Sequence, residues 1–265
     1  MTSLGQAVGD ALLIAGRNLR RVPRIPEMAI FAVIQSIIFV LLFAFVFGGA
    51  IPLPGGGSYR EFLMPGIFVQ TVFFASVTTA IGMTDDVNKG IVDRFRSLPM
   101  ARSAVLAGRT VADLVYNSGI LIVLMLTGLV VGWRVHGSLL EFLGGAGLML
   151  VVTFAMSWLG VWIGLHVPSV EVANQVGFMV LFPVTFLSNI FVPPSTLPGW
   201  LQPVAEWNPV STLTAALRDL WGNPNPYLAD GVPAEHPVAV TLGWTVVLLA
   251  LFAPLAVRRY RSLSR

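Results

Sequence analysis

GIVDRFRSLPMAR, residues 90–102, sets three arginines and an aspartate close together in a chain that is otherwise mostly apolar. Its surroundings decide how it is read. Of 265 residues, 55% are hydrophobic and 11% are charged, and the mean hydropathy is +0.80. A soluble domain carries about a quarter charged residues. Lipid is therefore the expected solvent for most of the chain, and the arginine-rich stretch marks a place where the chain leaves it.

On either side of that stretch, a run that crosses a ~30 Å hydrocarbon core needs about 20 apolar residues. Six such runs are present, at residues 28–47, 62–83, 114–133, 139–165, 172–192 and 238–257. The sixteen basic residues divide unevenly between the two sides of these spans. Arg17, Arg20, Arg21 and Arg24 precede the first span. Lys89, Arg94, Arg96, Arg102 and Arg109 lie between the second and third, and Arg258, Arg259, Arg261 and Arg265 end the chain. Only Arg60, Arg134 and Arg218 fall on the other side. Positive charge is retained in the cytoplasm, so both termini and residues 90–102 are expected there. The basic balance thus reports orientation, and no nucleic acid is expected as a partner. The sequence has no cysteine, which excludes disulfides, thiolate metal sites and thiol nucleophiles.

Residues 1–27 place Leu4, Val8, Ala11, Ala15 and Leu19 on one helical face and Gln6, Asp10, Arg17 and Arg20 on the other. That pattern predicts an amphipathic helix lying in the cytoplasmic headgroup layer and ending before Pro23 and Pro26; a frayed soluble tail is the alternative. Its apolar residues precede its arginines, the reverse of a signal peptide, so no removal is expected. The same periodicity over residues 85–98 puts Val87, Ile91, Phe95 and Leu98 on one face and Asp86, Lys89, Asp93 and Arg96 on the opposite one, with Pro99 as the stop. This reads as a surface helix that docks something; the plainer alternative is a solvated loop whose arginines only set orientation.

The energy source is constrained by what the spans lack. Ion-driven transporters keep ionisable groups inside the bilayer despite their cost, and the six span cores contain none. Glu171 and His166 sit between spans four and five, and Arg109 and Asp113 near the entrance to span three. The one lysine, Lys89, is followed by Gly90 and Ile91, so there is no GxxxxGK[ST] phosphate loop. His136, His166 and His236 are scattered over loops without an HExxH pattern, which leaves no metal site and argues against a membrane-embedded enzyme. Any work this chain does draws its energy from another chain.

The longer stretch GIVDRFRSLPMARSAVLAGRTVADL, residues 90–114, resembles the signature of ABC-2 type exporter permeases, in particular the daunorubicin-resistance (DrrB-like) membrane subunits of actinobacteria. The matching positions are Gly90, Arg94, Arg96, the Leu98–Pro99 pair, Arg102, Gly108, Arg109, Ala112 and Asp113. The resemblance implies an all-α polytopic membrane protein of six transmembrane helices, with residues 1–27 as an elbow helix, 28–257 as the membrane domain and 258–265 as a basic cytoplasmic tail. It implies that loop 84–113 carries a coupling helix resting in a cleft of an ATPase subunit, with Lys89, Gly90, Ile91, Arg94, Phe95, Arg96, Leu98, Pro99 and Arg102 as the coupling residues. Further implications are two copies of a cytoplasmic ABC ATPase that bind ATP and Mg, a second permease that is identical or related, and no cofactor in this chain. The chain itself is then not an enzyme, and its place is the plasma membrane of a bacterium, an actinobacterium by the resemblance.

Residues 193–224, PPSTLPGWLQPVAEWNPVSTLTAALRDLWGNP, contain two pieces too short to span, 197–206 and Pro209–Trp221. Asn208 is the expected N-cap and Pro209 the first helical residue of the second, and Trp200, Trp207 and Trp221 are expected at the interface. Two short helices dipping in from the outer face, or a simple external loop with amphipathic turns, fit this pattern; in the family a re-entrant pair caps the pathway. Within the spans, Gln35, Gln70, Asn117, Asn174, Gln175 and Asn189 are candidates for a substrate path or, alternatively, for hydrogen bonds between helices. Their neutrality suits an apolar or amphipathic cargo, either a drug-like compound or a lipid. A lipid-linked polysaccharide or other cell-envelope lipid is the alternative cargo, and an ion-coupled secondary transporter is the less favoured class.

The cysteine-free background makes the orientation testable by labelling. Cysteines placed at Ser58, Ser138 or Asp230 should react with an impermeant thiol reagent applied to intact cells, and cysteines at Ser103 or Ser262 should react only after lysis. Labelling of the Ser103 variant in sealed cells would reverse the orientation.

Overall fold

Two 30-residue helices, separated by a short one, form the middle of the chain, and the first of them is the helix on which most of the others converge. The computed structural model describes residues 4–19, 26–43, 45, 58–96, 102–191, 194, 197–225 and 231–262. In chain order the helices are α1 (Leu4–Leu19), α2 (Pro26–Leu42), α3 (Tyr59–Asn88), α4 (Ile91–Arg96), α5 (Arg102–Val131) and α6 (Leu139–Gly164). They continue with α7 (Val170–Phe186), α8 (Gln202–Glu206), α9 (Pro209–Trp221), α10 (Val232–Glu235) and α11 (Pro237–Ser262). No strand occurs among the described residues.

By length and composition α3, α5, α6 and α11 can each cross a membrane. The helices at the other two expected spans, α2 and α7, have 17 residues each, ~26 Å at 1.5 Å per residue. Helix ends depart from the hydropathy limits in a consistent way. α3 runs on through Thr84, Asp85 and Asp86 to Asn88, α5 starts at Arg102 rather than at 114, and α11 continues through Arg258 and Arg259 to Ser262. Charge ends an apolar run but does not end hydrogen bonding, so helices project past the lipid. α7 is the opposite case: it stops at Phe186, short of 192, where the Leu187 N–H turns back to the carbonyl of Pro183.

α3 is the axis. Two-thirds of its apolar window, 67%, is buried, and it touches α5, α6, α7 and α9. α6 lies closest, because the segment Gly160-Val-Trp-Ile-Gly164 turns both glycines toward α3. A methyl group at Gly160 would collide with the carbonyl of Ser76, and one at Gly164 with that of Ala80. Small residues four apart let helix backbones meet, the device that replaces hydrophobic driving force inside lipid. Thr84 Oγ1 then donates across the seam to the carbonyl of Gly164 at 3.1 Å.

The buried side chains form two cores. The larger contains Phe62, Phe68, Trp133, Leu213 and Trp221, and joins α3, α5, α6 and α9. Trp221, expected at the interface, is instead fully buried, 5.2 Å from Trp133 and 5.9 Å from Phe68 between ring centroids. Trp200 and Trp207 are exposed. The smaller core lies at the opposite end and draws Ile14 from α1, Met83 from α3, Val92 from α4, Leu106 from α5, Val161 from α6 and Tyr260 from α11. Arg17 and Arg109 border this second core and Arg259 donates to the carbonyl of Leu165 in it; it is here termed the basic end.

Substituting Gly160 by Val should separate α3 from α6 and lower the stability of the purified protein by about 1–3 kcal/mol, the usual cost of overpacking. Gly144→Val, on an open face of the same helix, should do little by comparison. Thermal unfolding in detergent compares the two.

Candidate functional site

The periodicity of residues 85–98 predicts one helix, and the structure divides it. α3 ends at Asn88; Lys89 N–H bonds to Asp85 O at 3.0 Å and Gly90 N–H to Val87 O at 3.0 Å. Gly90 then takes φ +65°, a left-handed turn open chiefly to glycine, and α4 starts at Ile91. The break changes which side chains share a face. Val87 and Ile91 still meet the basic-end core or its border, but the residue that seats α4 in it is Val92, 4% exposed. The Lys89 ammonium pairs with Asp85 at 2.7 Å on the surface, and Arg94 is exposed. Phe95, Arg96 and Arg102 lie in helical backbone, with their side chains outside the described set; Leu98 and Pro99 lie outside the described residues.

Asp86, expected on the solvent face with Lys89, is turned inward instead. It is 7% exposed and accepts from Arg109 Nη1 at 2.7 Å. Arg109 Nε also donates to both Asp113 oxygens, at 3.0 and 3.2 Å. One guanidinium on α5 thus serves a carboxylate of its own helix and one of α3. A shallow hollow adjoins this cluster, lined by Asp86 and Arg109, by Ile91 and Val92 of α4, and by Ile14, Arg17 and Asn18 of α1. α1 is seated there by burial of Ile14 and Ala15, while Leu12 and Leu13 face outward.

The six polar span residues separate into two groups. Asn117 and Asn189 are buried. Asn117 Nδ2 donates to Asp113 O at 2.7 Å, and Asn189 joins Ser211 through its N–H to Oγ and its Nδ2 to the carbonyl. Gln35, Asn174 and Gln175 are exposed and Gln70 is half-buried. Gln70 belongs to a stripe on α3 that escapes full burial: the adjacent Gln70 and Thr71, then Phe74, Thr78 and Ile81 at three- and four-residue intervals. Beside it stands α7, where Phe178 meets Phe74 edge-on at 5.2 Å. The stripe carries no formal charge.

At the end remote from α4, Asn208 caps α9 by accepting from the Val210 N–H at 2.9 Å, with Pro209 at the first helical position. α8 is shorter than expected, Gln202–Glu206 instead of 197–206. All residues of α9 from Val210 to Arg218 are buried. The last of these is fully buried although the sequence places it among loop arginines. Arg218 donates to the carbonyls of Phe62, Asn189 and Ile190 at 3.0, 3.1 and 3.4 Å, and its guanidinium lies 3.8 Å from the centre of the Phe62 ring.

The profile of the family described as ABC-2 type transporter matches residues 11–220. The chain belongs to that family. Over 256 residues it is 33% identical to the daunorubicin resistance ABC transporter permease protein DrrB1 of Streptomyces coeruleorubidus, covering 97% of this chain and 87% of the relative. It is 26% identical over 256 residues to the probable doxorubicin resistance ABC transporter permease protein DrrC of Mycobacterium tuberculosis, covering 96% and 90%. A putative transport permease, ycf38, of Cyanophora paradoxa is 21% identical over 252 residues, covering 92% and 85%.

In this ABC-2 chain, Asp86, Val92 and Arg218 are the residues that sequence reasoning left unassigned or misplaced. The i,i+4 spacing of Arg109 and Asp113 was a visible signal for part of the basic-end cluster. Nothing local distinguishes Arg218 from a loop arginine, because its acceptors lie 28, 29 and 156 residues away.

Removal of the Arg218 guanidinium should leave buried carbonyls unpaired. Arg218→Met should therefore cost at least about 2 kcal/mol of stability, and Arg218→Lys should recover only part, since one ammonium lacks the planar fork. Thermal unfolding of the detergent-solubilised protein measures both.

Proposed function

We propose that this chain is the membrane-spanning permease subunit of an ATP-driven exporter, with its nucleotide motor on a separate chain. The observation that carries the reading is α4: a six-residue helix entered through the glycine turn at Gly90 and seated by Val92 on a core shared by α1, α3, α5, α6 and α11. A push on so short a helix is felt by five others. Family membership and the similarity to drug-resistance permeases support it, as does a sequence without a phosphate-binding loop.

In this reading six spans, α2, α3, α5, α6, α7 and α11, cross the plasma membrane of a bacterium with both termini cytoplasmic. α1 lies as an elbow at the inner interface, with Leu12 and Leu13 toward lipid, and α8 and α9 form a re-entrant pair at the outer face. Two cytoplasmic ABC ATPase subunits bind ATP and Mg and receive loop 84–113, with Lys89, Gly90, Ile91, Arg94, Phe95, Arg96, Leu98, Pro99 and Arg102 at the contact. A second permease, identical or related, completes the pathway. ATP-driven closure of the ATPases then moves the docked helix and its spans as rigid bodies. The cargo is an amphipathic or apolar molecule, drug-like or lipid. It travels along the uncharged stripe of Gln70, Thr71, Phe74 and Thr78 beside Asn174, Gln175 and Phe178, and enters from the bilayer into which it already partitions.

Reconstitution with the cognate ATPase tests the reading. The complex should move daunorubicin across vesicle membranes only with hydrolysable ATP, and the permease alone should neither transport nor hydrolyse. Ile91→Asp should weaken ATPase association while membrane insertion is kept. Accumulation driven by a proton or sodium gradient in vesicles holding this chain alone would replace the proposal with a secondary transporter.

A further inference from the structure

We propose that Arg109 is a positioning residue for transport: bridging Asp113 of α5 and Asp86 of α3, it couples α5 to the helix that leads into α4, so that movement of α4 reaches α5. This inference rests on the permease reading above.

The mounting of α4 poses a mechanical difficulty. α4 leaves α3 through Gly90 at φ +65°, and a glycine junction yields readily to rotation. Val92 holds α4 to the basic-end core, but apolar contact is non-directional and lets packed helices slide. On such a mounting a push on α4 reaches the core, but nothing fixes the angle at which it arrives. A directional contact close to the junction removes that freedom.

Arg109 supplies one. Asp86 is four residues before Gly90, and Arg109 borders the same hollow as Ile91 and Val92, so the bridge lies directly beneath α4. The i,i+4 bonds to Asp113 at 3.0 and 3.2 Å aim the guanidinium from its own helix. Its far edge then meets Asp86 at 2.7 Å. A planar fork held at both edges fixes angle as well as distance, which a lysine ammonium does not. Gly82, one turn before Asp86 on α3, is part of the fit: a methyl group there would collide with the guanidinium.

Energetics favour this role over a purely stabilising one. The three side chains are 13%, 9% and 17% exposed, and the desolvation of such partly buried charges offsets much of their attraction. Well-packed apolar residues would hold α3 to α5 about as firmly. What an ion pair adds is a single allowed register between the helices. α5 packs in turn on α1, α2 and α6, so a register imposed at Arg109 is passed to the rest of the basic end.

The test reads movement of α5 and needs no knowledge of the cargo. Spin labels on cysteines introduced at the exposed positions Val115 of α5 and Val246 of α11 report one distance in the full complex with its ATPase, without nucleotide and after trapping with ATP and vanadate. The parent should show an ATP-dependent change in that distance. Arg109→Gln should lose it while ATPase association and ATP hydrolysis persist, and Arg109→Lys should recover part of it. Asp86→Ala, which leaves the Arg109–Asp113 pair intact, should give the same loss and is read in place of Arg109→Gln if that variant does not accumulate. A merely structural role would lower yield, association and hydrolysis together and leave the distance change in whatever complex forms. A parent-sized change in Arg109→Gln or Asp86→Ala, or no change in the parent, overturns the inference. Failure of the parent to bind the ATPase overturns the permease reading and takes this inference with it.

Discussion

The approach of α6 to α3 at Gly160 and Gly164 is the constraint on which the other contacts depend. Inside lipid the tails are as apolar as the side chains, so helices gain little from hiding leucines and associate through close packing and hydrogen bonds. Two glycines one turn apart let the backbones touch at Ser76 and Ala80. With that seam closed, α3 has its other faces left for α5, α7 and α9, and each takes one. The large core around Phe68, Trp133 and Trp221 and the smaller one around Val92 and Tyr260 lie toward opposite ends of the same axis.

Two arginines show how differently a cation is accommodated at the two ends. At the basic end Arg109 lies between carboxylates, in a cluster that water still touches. At the far end Arg218 gives its donors to carbonyls of three residues in a fully enclosed place. Two of those carbonyls belong to Asn189 and Ile190, just past the end of α7, where the helical ladder has run out and an unpaired acceptor would be costly. The third, of Phe62, lies in the first turn of α3. Arg218 therefore ties the chain just past the end of α7 to the first turn of α3. Sequence-level charge counting treats both arginines as markers of orientation, and in the folded chain both are also joints between helices.

Much of the architecture was legible because the bilayer imposes a length on apolar runs. α6 falls at the expected residues within one position, and the cap at Asn208 with Pro209 after it sets the start of α9. Other features were written locally but masked by a stronger pattern. The amphipathic repeat from Val87 to Leu98 conceals the glycine that interrupts it, and the Gly160–Gly164 spacing is easily passed over in a span that is apolar all round. Still others were not local at all. Asp86 and Lys89 look alike in a helical pattern, yet one is inward and paired with a residue 23 positions on while the other is at the surface. Trp221 resembles an interface tryptophan until Trp133, Phe68 and Phe142 are brought around it. For the candidate site, the sequence marked the segment and the charges, and only the fold decided which charges meet.

Asn208 has a further consequence. Its side-chain oxygen takes the Val210 N–H that opens α9, while its amide gives both hydrogens to Val184 and Leu187, at 2.7 and 3.1 Å, in the closing turn of α7. One side chain is thus the end of one helix and the beginning of the next. If α9 withdrew, two carbonyls would be stripped of their donor in the same step, and if the last turn of α7 frayed, the first turn of α9 would lose its anchor. The two helix ends are consequently tied through one residue, and amide protons along this junction should exchange together.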